Sequence, residues 1–342
     1  MAGPRSSRVP KADRAPSMHD VATRAGVSHQ TVSRVLNGFA GVRPQTKADV
    51  LAAIEELGYR RNNAARSLVL GRSQAIGVLV PNTPNFGPTA SLYAVERAIR
   101  EAGFQALVTV TPEDKESVTG GLDFLFNHAI EALVVLAAVG NVLDVIDAYD
   151  INVPVAYLLT GDERAPWSVS VDQRNGVALA IAHLVEHGHT WIQHVAGPEL
   201  SNEARLRVEA VEVELAKHGL RPLPTLYGDW TARSGFERAQ QVDPSATAIF
   251  CGNDQMAMGL IHALVDAGLR IPADMSVIGF DDIPESAFIL PPLTTVRQDF
   301  PAVGELAVEL LVAALHGHEL PDTTPLPAEL IVRASVSAPR VS

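Results

Sequence analysis

Apolar positions along this chain follow two different rhythms. Between Met18 and Tyr59 they recur three and four residues apart in three short blocks, the spacing of small amphipathic helices. Beyond residue 72, short apolar runs alternate with longer amphipathic stretches. This predicts strands at 75–80, 104–110, 132–138, 153–159, 192–197, 246–252 and 276–280, with helices such as 90–102, 175–187, 202–218 and 253–268 between them. Apolar strands alternating with helices mean parallel sheets covered on both faces. The pattern runs for about 270 residues, more than one ordinary sheet needs, so two similar subdomains are predicted. In such folds a ligand sits at the carboxyl ends of the strands, here in the cleft between subdomains.

The segments between these patterns set the domain limits. Residues 1–17 carry three prolines and four basic residues without apolar periodicity, and read as a disordered arm. Residues 18–61 form the helical domain, 62–72 a linker that is polar and basic except around Leu68, and 73–342 the α/β core. Within the core, one subdomain takes about 73–172 plus about 300–325, and the other about 173–299 plus about 326–338.

Charge changes this picture. The net charge of -12 argues against a nucleic-acid partner, but it is unevenly spread. Residues 1–72 hold 12 Lys/Arg against 5 Asp/Glu, and the remainder 15 against 34. A basic head on an acidic body suits a DNA-binding module joined to a ligand-binding one. The single cysteine, Cys251, excludes an internal disulfide, suits a reducing cytoplasm and reads as a buried strand residue. No run reaches the ~18 apolar residues that span a bilayer. The basic N-terminus lacks the apolar core of a signal peptide, so a cytoplasmic location without membrane contact is expected. No Gly-x-Ser-x-Gly elbow, P-loop, His-Glu-x-x-His or Cys pair occurs, so neither an enzyme nor a cofactor is expected. His183, His187, His189 and His194 gather around a helix end and the next strand, where surface or capping roles are expected rather than metal binding.

The segment 19–37, HDVATRAGVSHQTVSRVLN, has the grammar of a helix-turn-helix. Ala22 is small where two helices approach, and Gly26 stands where the turn needs positive φ. Ser28 suits the N-cap of a second helix. Val21, Ala25, Val32 and Val35 point inward, which leaves His29, Gln30, Ser33 and Arg34 on the outer face. In a major groove, Gln30 can pair with adenine and Arg34 can reach guanine or phosphate, while Thr31 and Ser33 suit phosphate contacts. A solvated face of a small helical domain is the blander reading.

That same run resembles the DNA-binding headpiece of the lactose-repressor family of bacterial transcription regulators, and the resemblance covers nearly the whole chain. ELGYRRNNAARSL is similar to the family's third helix and hinge. GHTWIQHVAGP, RLR, GDWTARSGF, CGNDQMAMG, SVIGFDD and PPLTTVRQDF recur in the core in the family's order. The resemblance implies an all-α helix-turn-helix headpiece and a periplasmic-binding-protein-like core of two parallel-sheet subdomains. It further implies a homodimer on a palindromic double-stranded DNA operator, repressing sugar-utilisation genes until a sugar effector releases it. The alternative is a co-repressor that strengthens DNA binding, as purines do in one branch. More distant is a periplasmic sugar-binding protein sharing the core. The chain stops at Ser342 without a terminal heptad repeat, so a dimer rather than a tetramer is expected. Ser28 and Asn37 join the DNA-contacting set by resemblance, as do Asn62, Ala65 and Leu68 of the hinge. The segment NAARSLV is too short to be a stable helix alone. The resemblance implies that it pairs with its counterpart in the minor groove, Leu68 wedging open a base step. Arg61 stands where many members have proline, and His29 departs from the reading helix of the family pattern.

For a sugar, Arg207 offers paired donors, Asn253 both donor and acceptor, and Asp281 an acceptor for two hydroxyls. Trp230 offers an aromatic face for the apolar side of a pyranose. Asn253 and Asp281 each follow an apolar strand, the rim position expected of ligand contacts. Each of the four matches an effector-contacting position of the family, and Phe300 matches a cleft aromatic. Plainer roles are an Arg207–Glu203 helix pair, a core tryptophan and a turn cap at Asp281. The loop NTPNFGP keeps Pro88 but adds Phe86, Leu159 stands where one member of the family has a cleft aspartate, and Glu203 where that member has serine. One carboxylate is lost and another gained, so the ligand class transfers but not its identity. Asp172 is expected to cap the helix that follows it.

Overall fold

The computed structural model describes residues 16–36, 38–39, 41–60, 72–83, 85–136, 140–158 and 167–340. The chain divides into two compact units, 1–71 and 72–342.

The first unit holds α1 (Met18–Ala25), α2 (His29–Leu36) and α3 (Pro44–Leu57). A capping box starts α1: the Ser17 hydroxyl and Asp20 carboxylate satisfy each other's backbone N–H groups. Gly26 ends it at φ 64°, and its N–H returns to the Ala22 and Thr23 carbonyls. Ser28 opens α2, its Oγ accepting from the Thr31 N–H at 3.2 Å. Val21, Ala22, Val32, Val35, Val50, Ala53 and Tyr59 form the small core, with Ala25 at its margin. Gly26→Val would force a β-branched residue into the left-handed region. The expected cost is roughly 1–2 kcal/mol of headpiece stability, read as faster hydrogen exchange at the Val32 and Val35 amides. Unchanged protection would mean that the turn does not need this conformation.

The second unit contains two sheets. In the first, β1 (Ala75–Pro81), β2 (Gln105–Thr111), β3 (Ala132–Leu136), β4 (Val155–Leu158) and β5 (Ser168–Val169) run parallel in the order β2-β1-β3-β4-β5. The second comprises β6 (Ile192–Ala196), β7 (Leu226–Tyr227), β8 (Ala248–Cys251), β9 (Ser276–Asp281), β10 (Thr294–Arg297) and β11 (Glu329–Ile331). Its order is β11-β10-β9-β8-β6-β7, with only β11 antiparallel to its neighbour. Strands such as β3 and β8 are buried along their whole length, as helices on both faces require.

The chain passes between the sheets three times: after β5, after β10 and before β11. Helix Phe300–His316 returns to the first sheet and packs its buried face with Val95, Ile99 and the β3–β4 core. Gly304 lets it approach Ala94 so closely that a Cβ there would fall 2.6 Å from the Ala94 methyl. Val171 and Leu326 form an isolated bridge where two of the crossings run side by side.

In an open α/β sheet the ligand position is the point where strand order reverses. In the first sheet β1 stands between β2 and β3, so this point lies beyond Pro81. In the second it lies between β6 and β8, beyond Ala196 and Cys251. Cys251 itself is fully buried, and burial pushes its thiol well above the usual range.

Two corrections concern the histidines. His189 and His194 are core residues, not surface ones. His189 shares its ring nitrogens among Thr247, Ser276 and the Ser337 carbonyl. His194 stacks on Phe250 at 5.2 Å between centroids, and burial, then the nearby Arg207, push it down to about 3. It therefore stays neutral. Among the described residues, no group of His, Cys, Asp and Glu is placed to hold a metal ion.

Candidate functional site

In the headpiece, α2 presents Ser28, His29, Gln30 and Arg34 to solvent, with Thr31 and Ser33 half-buried. Thr31 Oγ1 lies 2.9 Å from Ser28 Oγ, so part of its hydroxyl capacity serves the cap. The Arg34 guanidinium sits over the exposed Phe39 ring at 5.7 Å from the centroid. Phe39 was not legible as part of this face, because it follows the helix after a glycine that turns the chain back. Its N–H donates to the Arg34 carbonyl at 2.9 Å. Asn37, Asn62, Ala65 and Leu68 lie outside the described residues. The face combines a cation, an amide and an imidazole on a short helix anchored by two buried valines.

In the core, both strand-reversal points open onto one recess. From the first sheet come Asn85, Phe86, Gly87 and Pro88, at the start of helix Phe86–Glu101. From the second come Ser201, Glu203, Arg207, Trp230, Asn253, Asp281 and Gln298. The recess is narrow, with about 40 Å³ of free space, and is continuous with solvent. Phe300 supports it from behind, edge-on to Phe86 with ring centroids 5.9 Å apart. Leu159 lies outside the described residues.

Arg207 is 2% exposed on helix Asn202–Lys217. Its Nε donates to Gln173 Oε1 at 2.8 Å, and Nη1 donates to the Gly252 carbonyl. Nη2 approaches Glu203 Oε2 only to 3.9 Å, an ion pair without a hydrogen bond. The guanidinium also lies 4.0 Å from the Phe280 centroid and 5.3 Å from that of Trp230. Gln173 Nε2 donates onward to Gln298 Oε1 at 2.8 Å, and Gln298 Nε2 to Asp281 Oδ1 at 2.7 Å. A continuous buried chain therefore links the cation to the carboxylate through two glutamines. The β9–β10 register, which places Arg297 opposite Asp281, puts Gln298 within reach. Gln173 and Gln298 were missed, although Gln298 directly follows a strand, the very position that singled out Asn253.

Asp281 is the last residue of β9 rather than the first beyond it. It takes φ 105° and Asp282 takes φ 51°, both strained for non-glycine residues. The strain is held from below. Asp254, fully buried, accepts from the Ile283 N–H at 2.9 Å, Ser286 Oγ at 2.6 Å and Thr295 Oγ1 at 2.5 Å. Asp282 is tied to Arg297 and Arg333. Burial pushes the Asp254 carboxyl up to about 7 and that of Asp281 up to about 8, the second against the opposing pull of Arg207. Burial raises Glu203 as well, again opposed by Arg207.

Asn253 has a structural task besides facing the recess. Its Oδ1 caps helix Asp254–Asp266 by accepting from Met256 N–H at 2.9 Å, and its Nδ2 donates to the Trp230 carbonyl at 3.0 Å. Trp230, at φ 72°, lies against Gly197 and Gly252. A Cβ on Gly197 would fall 2.1 Å from the indole. Gly197→Ala is therefore expected to displace the ring, shift tryptophan emission and weaken ligand binding. An emission spectrum matching the parent protein would show that the ring is not seated there. Asp172, as expected, caps its helix by accepting from Asn175 N–H at 2.9 Å.

Residues 17–62 match the family model for bacterial regulatory proteins of the lacI family, and residues 181–336 match that for a periplasmic binding protein-like domain. The lactose operon repressor of Escherichia coli (strain K12) is 33% identical over 328 residues, covering 94% of this chain and 91% of that protein. The ribose operon repressor of the same strain is 34% identical over 309 residues, covering 86% and 92%. The crystal structure of the lac repressor dimer bound to operator and the anti-inducer ONPF matches with a TM-score of 0.84 at 32% identity, covering 95% of this chain and all of that one. Among the described residues no helix is long and apolar enough to cross a membrane.

Proposed function

The chain belongs to the lacI family of bacterial regulatory proteins, and on that premise we propose that it represses sugar-utilisation genes as a homodimer released from its operator by a sugar. The observation that carries the reading is the recess at both strand-reversal points, where one guanidinium, two carboxyls, three amides, a hydroxyl and an indole converge. Fixed donors and acceptors beside an aromatic face are what a pyranose needs. The headpiece supplies the other half. Gln30, Arg34 and His29 stand exposed on α2, ready to read base edges, with Ser28, Thr31 and Ser33 near phosphates.

The two activities are coupled because one chain carries both and the effector favours one arrangement of its two sheets over another. Closing the recess would move Phe86 and Pro88 relative to Arg207 and Asp281. The crossings between the sheets are the segments that absorb such a movement. Ligand and DNA then oppose each other by a reciprocal coupling, typically about 1–3 kcal/mol. The protein acts in the cytoplasm, where its operator is.

The test is fluorescence anisotropy of the full chain on near-palindromic duplexes from upstream of its own gene, at two salt concentrations, with and without a panel of sugars. Site-selective binding that weakens with salt and is abolished by one sugar is the expected result. Binding strengthened by the ligand would replace induction by co-repression. Tight sugar binding without selective DNA binding would reduce the chain to a sugar-binding protein.

A further inference from the structure

We propose that the effector carries a protonated amine among its hydroxyls, as an amino sugar or a comparable aminated polyol does. The inference rests on the sugar-effector reading above and narrows it. It starts from which polar atoms in the recess are still free. Arg207 has committed Nε to Gln173 and Nη1 to the Gly252 carbonyl. Asn253 has committed its oxygen to the helix cap and one amide hydrogen to Trp230. Among the described residues Arg207 Nη2 stays without a hydrogen bond, and beside it stand two carboxyl groups. Asp281 uses one oxygen for Gln298. Glu203 accepts no hydrogen bond among the described residues, and its nearest cation is Arg207 Nη2 at 3.9 Å.

Among the described residues the two carboxyls thus share a single guanidinium, whose two directed bonds lead elsewhere. Of its two carboxyls, Glu203 is the one left without a hydrogen bond. The first turn of helix Asn202–Lys217 accounts for a carboxylate at position 203 in part, since helix N-termini favour anions. It does not account for one turned inward, with its side chain only 16% exposed. Burial drives both carboxyls toward their protonated forms against the pull of Arg207, a cost that a cation placed beside Glu203 would offset. A neutral sugar would offer hydroxyl donors but leave the Glu203 carboxylate without a directed cationic partner. An ammonium group supplies both charge and several donors, and its bonds to a carboxylate are stronger than those of a hydroxyl. The indole of Trp230 adds a face that attracts cations, as its stacking with Arg207 already shows. Glu203 becomes the residue that selects the amine.

Isothermal titration of the full chain at neutral pH with glucosamine, galactosamine and mannosamine, each beside its parent hexose, tests this. At least one amino sugar is expected to bind at least about tenfold more tightly than its parent. In E203Q that ratio should fall toward one, whereas E203D, which keeps the charge, should retain most of it. The wild-type ratio stands on its own should a variant not fold. Parent hexoses binding as well as their amino counterparts would overturn this inference and leave the sugar reading intact. An unchanged ratio in E203Q would remove Glu203 from the role. No binding of any of these sugars, amino or neutral, would count against both readings.

Discussion

Arg207→Ala is expected to lose effector response altogether and to destabilise the core by about 3–5 kcal/mol, the cost of breaking a buried ion pair from one side. Among the described residues Arg207 is the only cation facing Glu203 and Asp281 in the recess, and those carboxyls cannot follow it into solvent. Its loss also frees the Gln173 Oε1 and Gly252 carbonyl acceptors in a buried site. Arg207→Lys should fall between, because an ammonium cannot fork toward Gln173 and Gly252 at once. Urea unfolding of the three proteins gives the energetic side. Anisotropy on operator DNA gives the functional side: the alanine variant should bind DNA and be released by no sugar. An alanine variant within about 1 kcal/mol of the parent would mean that the network is less interdependent than its geometry implies.

A second large effect is expected from pH. Asp281 and Asp254 titrate near 8 and 7 in the folded protein, against roughly 4 in an unfolded chain. Between those limits the native state holds protons that the unfolded chain has released. The contribution of these two carboxyls to stability is therefore fullest below pH ~4 and is lost as pH rises toward 8. At about 1.4 kcal/mol per pH unit and group, the decline between pH ~5 and ~8 should reach a few kcal/mol. Exposed carboxylates held low, such as Asp114 beneath the Ser117 N–H, act in the opposite sense, but only at lower pH. Asp281→Asn keeps the Gln298 contact while removing one titration, so its unfolding free energy should vary less steeply over this range. An equal slope in the variant would assign the pH dependence to other groups.

What the sequence revealed and what it hid divide along the reach of the interactions. The headpiece was legible because its determinants are local: Gly26, Ser28 and the valines of α2 act within a few residues of one another. The long apolar strands were legible for the same reason. The strands β5, β7 and β11 are two or three residues long and have no period to detect. β10 was hidden by its threonines. The buried hydroxyls of Thr294 and Thr295 are satisfied only by the Arg333 N–H and Asp254, 39 and 41 residues away. The recess shows the same division. Residues marked by their place after a strand, Asn253 and Asp281, could be picked out one at a time. The Gln173–Gln298 bridge spans 125 residues and exists only once the sheet register and the crossings are in place. His194 was misplaced because nothing adjacent to it in sequence announces the Phe250 ring that it stacks upon.

The burial of Cys251 has a practical corollary. The chain has one thiol, locked inside β8 and held away from its reactive form. A maleimide or a disulfide reagent can reach it only when the second sheet opens, so the rate of modification at low denaturant is a built-in clock for that opening. For the same reason a cysteine introduced on the exposed face of α2 would be labelled alone in the folded protein. Dyes or spin probes could then follow the headpiece without first stripping the core of its native residue.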